Sequence, residues 1–154
     1  MSEIKLPDLI DILFENPQLE RTRIICILNC FHGKTKGISL KELAYYYAII
    51  VSELNIHSEN ELRYNIANLY ISLQWKIKRI IMELNTSEYI KVFNINEDIF
   101  DNIKIKLNKK GVDFVNSLEN VYFKEFQEQL IEIKKLYTYS SKLEKELLNR
   151  RSYG

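Results

Sequence analysis

Residues 103–118 read IKIKLNKKGVDFVNSL, and their period changes halfway along. Ile103, Ile105 and Leu107 alternate with Lys104 and Lys106, the two-residue period of a strand buried on one face. From Val112 the apolar positions become Val112, Val115 and Leu118, with Phe114 beside them, and that spacing is helical. Asn108 stands at the switch, where its short amide is placed to accept from the first free N–H groups of the helix as an N-cap. Gly111 fits a helix start that passes close to another backbone. A strand running straight into a capped helix is a specific local signature, and its neighbours decide what it belongs to.

Upstream, Tyr89–Ile95 (YIKVFNI) is rich in aromatic and β-branched residues and predicts a second strand, joined to the first through residues 96–102, NEDIFDN. Before it come three helical patterns. The first runs from about Leu19 to Phe31, carries Ile24, Ile25, Ile27 and Leu28, and stops at Gly33. Ser39-Leu40-Lys41-Glu42 then predicts a capping box that opens a helix holding Leu43, Tyr46, Tyr47, Ile50 and Leu54. After the polar residues 55–60, a long pattern from about Glu61 to Leu84 presents Leu69, Leu73, Ile77, Ile80, Ile81 and Leu84 on one side. Helix, helix, helix, strand, strand, helix is the order of a winged helix-turn-helix domain, with the strand pair as its wing. The expected fold class is mainly α with a small antiparallel β-hairpin. Two features depart from a compact winged helix: the link between the second and third helices is long, and so is the third helix.

The expected division is an amphipathic helix over residues 1–16, the winged-helix domain over 17–118, and a helical extension over 119–154. In the first part Leu6, Leu9, Ile10, Leu13 and Phe14 recur at helical spacing up to Asn16-Pro17, where proline pushes its predecessor out of the α region. The last part lacks Pro, and its Gly is the final residue. An unbroken helix of ~30 residues would span ~45 Å, longer than the domain before it, so it must protrude or break, and Thr138-Tyr139-Ser140-Ser141 is the expected break. Phe123, Phe126, Leu130, Ile133 and Tyr137 follow the three–four spacing of a helix-pairing seam.

Bulk composition removes several classes of function. Lys+Arg number 22 against 21 Asp+Glu, a formal net charge of +1, so nucleic-acid binding by bulk charge is not expected. No apolar run approaches the ~20 residues of a membrane span, and residues 1–16 do not read as a secretory signal. Cys26 and Cys30 sit four apart in a helical pattern, a poor geometry for a disulfide, and read as buried thiols of a cytoplasmic protein. The four glycines form no phosphate loop or dinucleotide fingerprint, and Cys30 and His32 face different ways on a helix. No metal, cofactor, small-molecule substrate or catalytic residue is expected, and the chain does not read as an enzyme.

Two kinds of binding remain. Lys76, Lys78 and Arg79 on the third helix, with Lys104, Lys106, Lys109 and Lys110 near the wing, are the candidate nucleic-acid contacts. Against them, Glu97, Asp98 and Asp101 sit at the wing tip, where phosphates would approach, so the expectation is at most weak backbone contact with double-stranded DNA. For a protein partner, Leu9, Leu13, Phe100, Phe123, Phe126, Leu130 and Tyr137 are the candidate interface, with Trp75, Tyr45, Tyr70 and Ile99 also lying off the obvious core stripes.

Several segments in order resemble one known family: RTRIICILNCF at 21–31, ISLKELAYYYAII at 38–50, residues 89–118, and ENVYFKEFQEQLIEIKKLY at 119–137. They are similar to the middle component of three-component ABC systems, the Lamassu type of bacterial anti-phage defence. The resemblance implies a non-catalytic winged-helix subunit held near the heads of an SMC-like ATPase, restraining an effector subunit until foreign DNA is sensed. The alternative is a winged-helix transcriptional regulator, dimeric through its C-terminal helix.

Overall fold

A computed structural model of the chain describes residues 17–55, 66–94 and 102–149. These form helices α1 (Pro17–Asn29), α2 (Leu40–Asn55), α3 (Ile66–Thr86), α4 (Lys109–Asn116), α5 (Val121–Leu136) and α6 (Ser141–Asn149), with strands β1 (Ile38–Ser39), β2 (Ile90–Phe93) and β3 (Lys104–Leu107). The protein is mainly helical with a small antiparallel sheet. That sheet has three strands in the order β1-β3-β2, where the sequence predicts a pair. The additional strand, β1, is two residues long and too short to carry a period.

Register explains the alternation of the opening stretch. Ile105 lies opposite both Ile38 and Val92, and Leu107 lies opposite Ile90, all on the core side. Lys106 faces Lys91 and Lys104 faces Phe93 on the other side. At the switch into α4 the capping expectation is corrected. Asn108 has extended backbone angles but makes no side-chain cap; its Nδ2 donates instead to the Glu88 carbonyl at 3.1 Å, and its backbone N–H donates to Tyr89 O at 3.0 Å. Both bonds tie the start of α4 to the turn ahead of β2. Gly111 is needed there, because a Cβ would stand 2.5 Å from the Tyr89 carbonyl oxygen and 2.5 Å from a Leu107 methyl. Gly37, with φ of +72°, places its α-carbon against the Ile105 carbonyl where β1 begins.

The capping box at α2 forms on one side only. Ser39 Oγ accepts from the Glu42 N–H at 3.0 Å, while the Glu42 carboxylate turns outward to Lys34 at 3.4 Å. Inside α2, residues 43–51 are all buried, so this helix runs through the middle of the core and packs on α1, α3 and α5. Aromatic edges fill the space around it: Tyr45 meets Tyr46, Tyr70 and Tyr139 with ring centroids 5.1–6.3 Å apart. Tyr45 and Tyr70, read from the sequence as interface residues, belong to this cluster and are 2% and 1% exposed.

The C-terminal helical run breaks where the sequence predicts. Asn120 caps α5 by accepting from the Tyr122 N–H at 2.7 Å, α5 ends at Leu136, and Ser140 Oγ accepts from the Leu143 N–H as α6 starts. The chain then folds back. Phe126, Leu130 and Ile133 enter the core shared by α1 and α2, and Leu147 joins it from α6. Tyr70 Oη donates to Glu144 at 2.5 Å and the Tyr139 N–H donates to Tyr46 Oη at 2.8 Å, fastening the returning segment.

Candidate functional site

The third helix presents two unlike faces. Leu69, Leu73, Ile77, Ile80, Ile81 and Leu84 point into the core. On the opposite side Ile71, Trp75 and Met82 are 37%, 65% and 50% exposed. Together with half-buried Lys78 they occupy positions i, i+4, i+7 and i+11, the stripe that a partner helix reads. Three large apolar side chains on one open stripe are unusual on a helix already packed on its other side.

Between this stripe and α1 lies a shallow hollow lined by Pro17, Glu20, Arg21, Lys76, Arg79, Ile80 and Glu83. Lys76 Nζ stands 2.7 Å from Glu20 Oε1, and Arg21 pairs with Glu83, so two salt bridges hold α1 against α3. Burial raises the Glu20 carboxyl above its ordinary value, with Lys76 opposing that effect by its bond and its charge. Arg79 is exposed at the rim.

Deeper, Arg23 is fully buried and donates from Nε and Nη2 to Tyr122 Oη at 3.0 and 2.6 Å, its guanidinium 5.7 Å from the ring centroid. Tyr47 lies beside it, its hydroxyl pushed up to about 12 by burial despite the positive charge. This buried group joins α1, α2 and α5, and sequence reasoning missed it. The signal was a charged residue opening the apolar run Arg23-Ile24-Ile25-Cys26-Ile27-Leu28. A buried guanidinium donating twice to a phenol oxygen clamps α1 to α5. Burial pushes Cys26 up to about 12 and raises Cys30, keeping both as thiols of low nucleophilicity. Among the described residues no group of three or more His, Cys, Asp or Glu is placed to hold a metal, and no described helix is long and apolar enough to cross a membrane.

The cationic candidates occupy three separate places. Lys76, Lys78 and Arg79 lie on α3, and Lys76 is engaged by Glu20. Lys104 and Lys106 are half-buried on the outer face of the sheet, where Lys106 opposes Lys91. At the start of α4, Lys109 is 3.5 Å from Asp113, and Lys110 donates to the Ser87 carbonyl at 2.9 Å with its ammonium 4.5 Å over Tyr89. Lys110 thus serves the C-terminal end of α3, where free carbonyls favour a cation.

The partner-interface candidates divide. Phe126 and Leu130, 1% and 3% exposed, are corrected to core residues, because α1 and α2 already cover the seam they form. Phe123 and Tyr137 are partly buried against the same core. Leu9, Leu13, Phe100, Ile99 and the acidic wing tip lie outside the described residues. The open apolar stripe therefore centres on Trp75, with Ile71 and Met82, which the candidate set passed over. Comparison with protein-family models, curated proteins and solved structures finds no match to this chain.

Proposed function

We propose that this chain is a non-catalytic winged-helix adaptor that binds a protein partner through the outer face of α3. The element order α1-β1-α2-α3-β2-β3 with sheet order β1-β3-β2 supports the winged-helix reading, in which β2 and β3 flank the wing and α3 takes the place of the reading helix. The observation that carries the function is what α3 displays there. A DNA-reading helix offers polar side chains to base edges, whereas this one offers Ile71, Trp75 and Met82. In line with the family resemblance, the partner we propose is the SMC-like ATPase of an anti-phage defence complex, in which the chain restrains an effector subunit.

One observation favours the second reading, a DNA-binding regulator. Lys78 and Arg79 adjoin the apolar stripe, and Lys91, Lys104 and Lys106 share the outer sheet face. Phosphate contacts from such groups position a duplex without reading its sequence. Co-expression with the adjacent genes separates the two readings. Trp75→Glu with Met82→Glu is expected to abolish co-purification of an ATPase, and Lys78→Glu with Arg79→Glu to leave it intact. Tight, sequence-selective binding of duplex DNA by the isolated chain, lost in the Lys78/Arg79 variant, would overturn the adaptor and establish the regulator.

A further inference from the structure

We propose that the groove between the C-terminal end of α1 and the second half of α5 is a docking site for an acidic peptide of another protein, one that carries an apolar side chain among its carboxylates. The groove lies on different elements from the outer face of α3, and the proposal stands whatever α3 binds.

Its position is set by elements on the page. The turn after α1 supplies Phe31 and Lys34, the first two turns of α2 supply Glu42 and Tyr46, and α5 supplies the other wall from Gln127 to Lys135. That wall runs for roughly 12 Å of helix axis, the reach of about four residues of extended chain. The space has a volume of about 780 Å³, and Lys34, Ile131, Lys134 and Lys135 are exposed along its rim. An open trough of this length suits a linear occupant better than an enclosed small molecule.

The chemistry of the walls selects the occupant. Buried Phe31 and Tyr46, with ring centroids 5.0 Å apart, back the groove, and Ile131 stands out of the α5 wall, 49% exposed. Cations surround this apolar part. The Lys34 and Lys134 ammoniums lie 5.3 and 4.7 Å from the Phe31 ring centroid, and Lys135 follows Lys134 on the same wall. Lys134 donates to the Cys30 carbonyl at 2.9 Å, a neutral group that holds the ammonium in place without cancelling its charge. Glu42 is the one acid among the described lining residues, and Lys34 stands 3.4 Å from it. Three ammoniums against one carboxylate leave the groove at +2, although the whole chain carries only +1.

Carboxylates of a peptide meet the ammoniums while its apolar side chain packs on Ile131, and charge complementarity fixes partner and register. Ammoniums already held by a ring and a carbonyl lose less freedom when the peptide arrives. A nucleic acid would find the same lysines but no open aromatic face for its bases, since Phe31 and Tyr46 are buried.

The test uses the full chain and a fluorescein-labelled, terminally blocked peptide of four glutamates around a central leucine, followed by fluorescence anisotropy. Saturable binding is expected. It should weaken roughly tenfold in Lys134→Glu with Lys135→Glu, and several-fold in Ile131→Gln or with serine in place of the peptide's leucine. Amide NMR shifts should move at Phe31, Ile131 and Lys134 on addition of unlabelled peptide. Lys134 also fastens the end of α1, so circular dichroism and melting accompany each variant. If the double variant loses its fold, Lys34→Gln with Lys135→Gln replaces it and should weaken binding several-fold. No saturation by about 1 mM peptide would overturn the proposal. So would binding that ignores both Ile131→Gln and the change of leucine to serine, which is attraction by charge alone. An oligonucleotide that binds more tightly than the peptide, and loses that affinity in the lysine variant, would also overturn it and assign the groove to nucleic acid.

Discussion

Helices α5 and α3 each carry an apolar stripe, and the two have opposite fates. On α5, Phe126, Leu130 and Ile133 are at most 5% exposed because α1 and α2 close over them. On α3, the stripe of Ile71, Trp75 and Met82 stays open while the opposite face is buried. From sequence the first looks like the intermolecular seam and the second attracts less notice. An apolar helical face states that something must cover it, and leaves open whether that is the same chain or another. Which stripe remains uncovered is decided by where the chain folds back, here at Tyr137–Ser140.

The sharpest way to break this comparison is Leu130→Glu. If α5 belongs to the core, the variant buries an unpaired carboxylate and loses about 4 kcal/mol or more, measured by urea denaturation of the isolated chain. Undiminished stability would return the seam to the surface. Tyr122→Phe tests the polar half of the same contact. It leaves the buried Arg23 guanidinium without the oxygen that accepts two of its N–H groups, and about 2 kcal/mol should be lost.

At the edge of the open face the expected effect is smaller and depends on pH. Glu20 has a folded-state pKa raised above 4.5, so between 4.5 and that higher value the folded chain holds a proton the unfolded chain has released. Stability is therefore lost as pH climbs through this window. Glu20→Gln removes that component, and its melting temperature relative to the parent should become more favourable from pH 4.5 upward. A difference that is flat with pH would mean that the hollow between α1 and α3 is well solvated. The smallest change is expected on the stripe itself. Met82→Gln should alter stability by no more than about 1 kcal/mol, since the side chain lies outside the core.

Much of this architecture is legible in the sequence because it is local. The period change at Asn108, the Ser39 cap and the break before Ser141 all depend on residues within a few positions of each other. What escaped depends on distant chain. The two residues of β1 become a strand only because β3 arrives beside them. The Asn108 amide leaves its cap because the Glu88 carbonyl stands nearby, 20 positions away in sequence. Arg23 donates in the core to an acceptor supplied by Tyr122, 99 residues later. The candidate site divides in the same way. Trp75 is visible as an aromatic off the main stripe, whereas its prominence required knowing that Tyr45 and Tyr70 are buried.

The returning α5–α6 segment also sets a clock on biosynthesis. Residues 17–118 contain α1 to α4 and the three described strands, yet the faces of α1 and α2 that receive Phe126, Leu130 and Ile133 have no cover until residue 133 has been made, and α3 waits longer for Glu144 and Leu147. At 5–20 residues per second, the stretch from 119 to 149 takes roughly two to six seconds to emerge. Throughout that interval the nascent chain presents a bare apolar groove and a buried-to-be arginine without its phenol. A chain terminated near residue 118 would keep that condition permanently, as a substrate for chaperones and proteases instead of a smaller working domain.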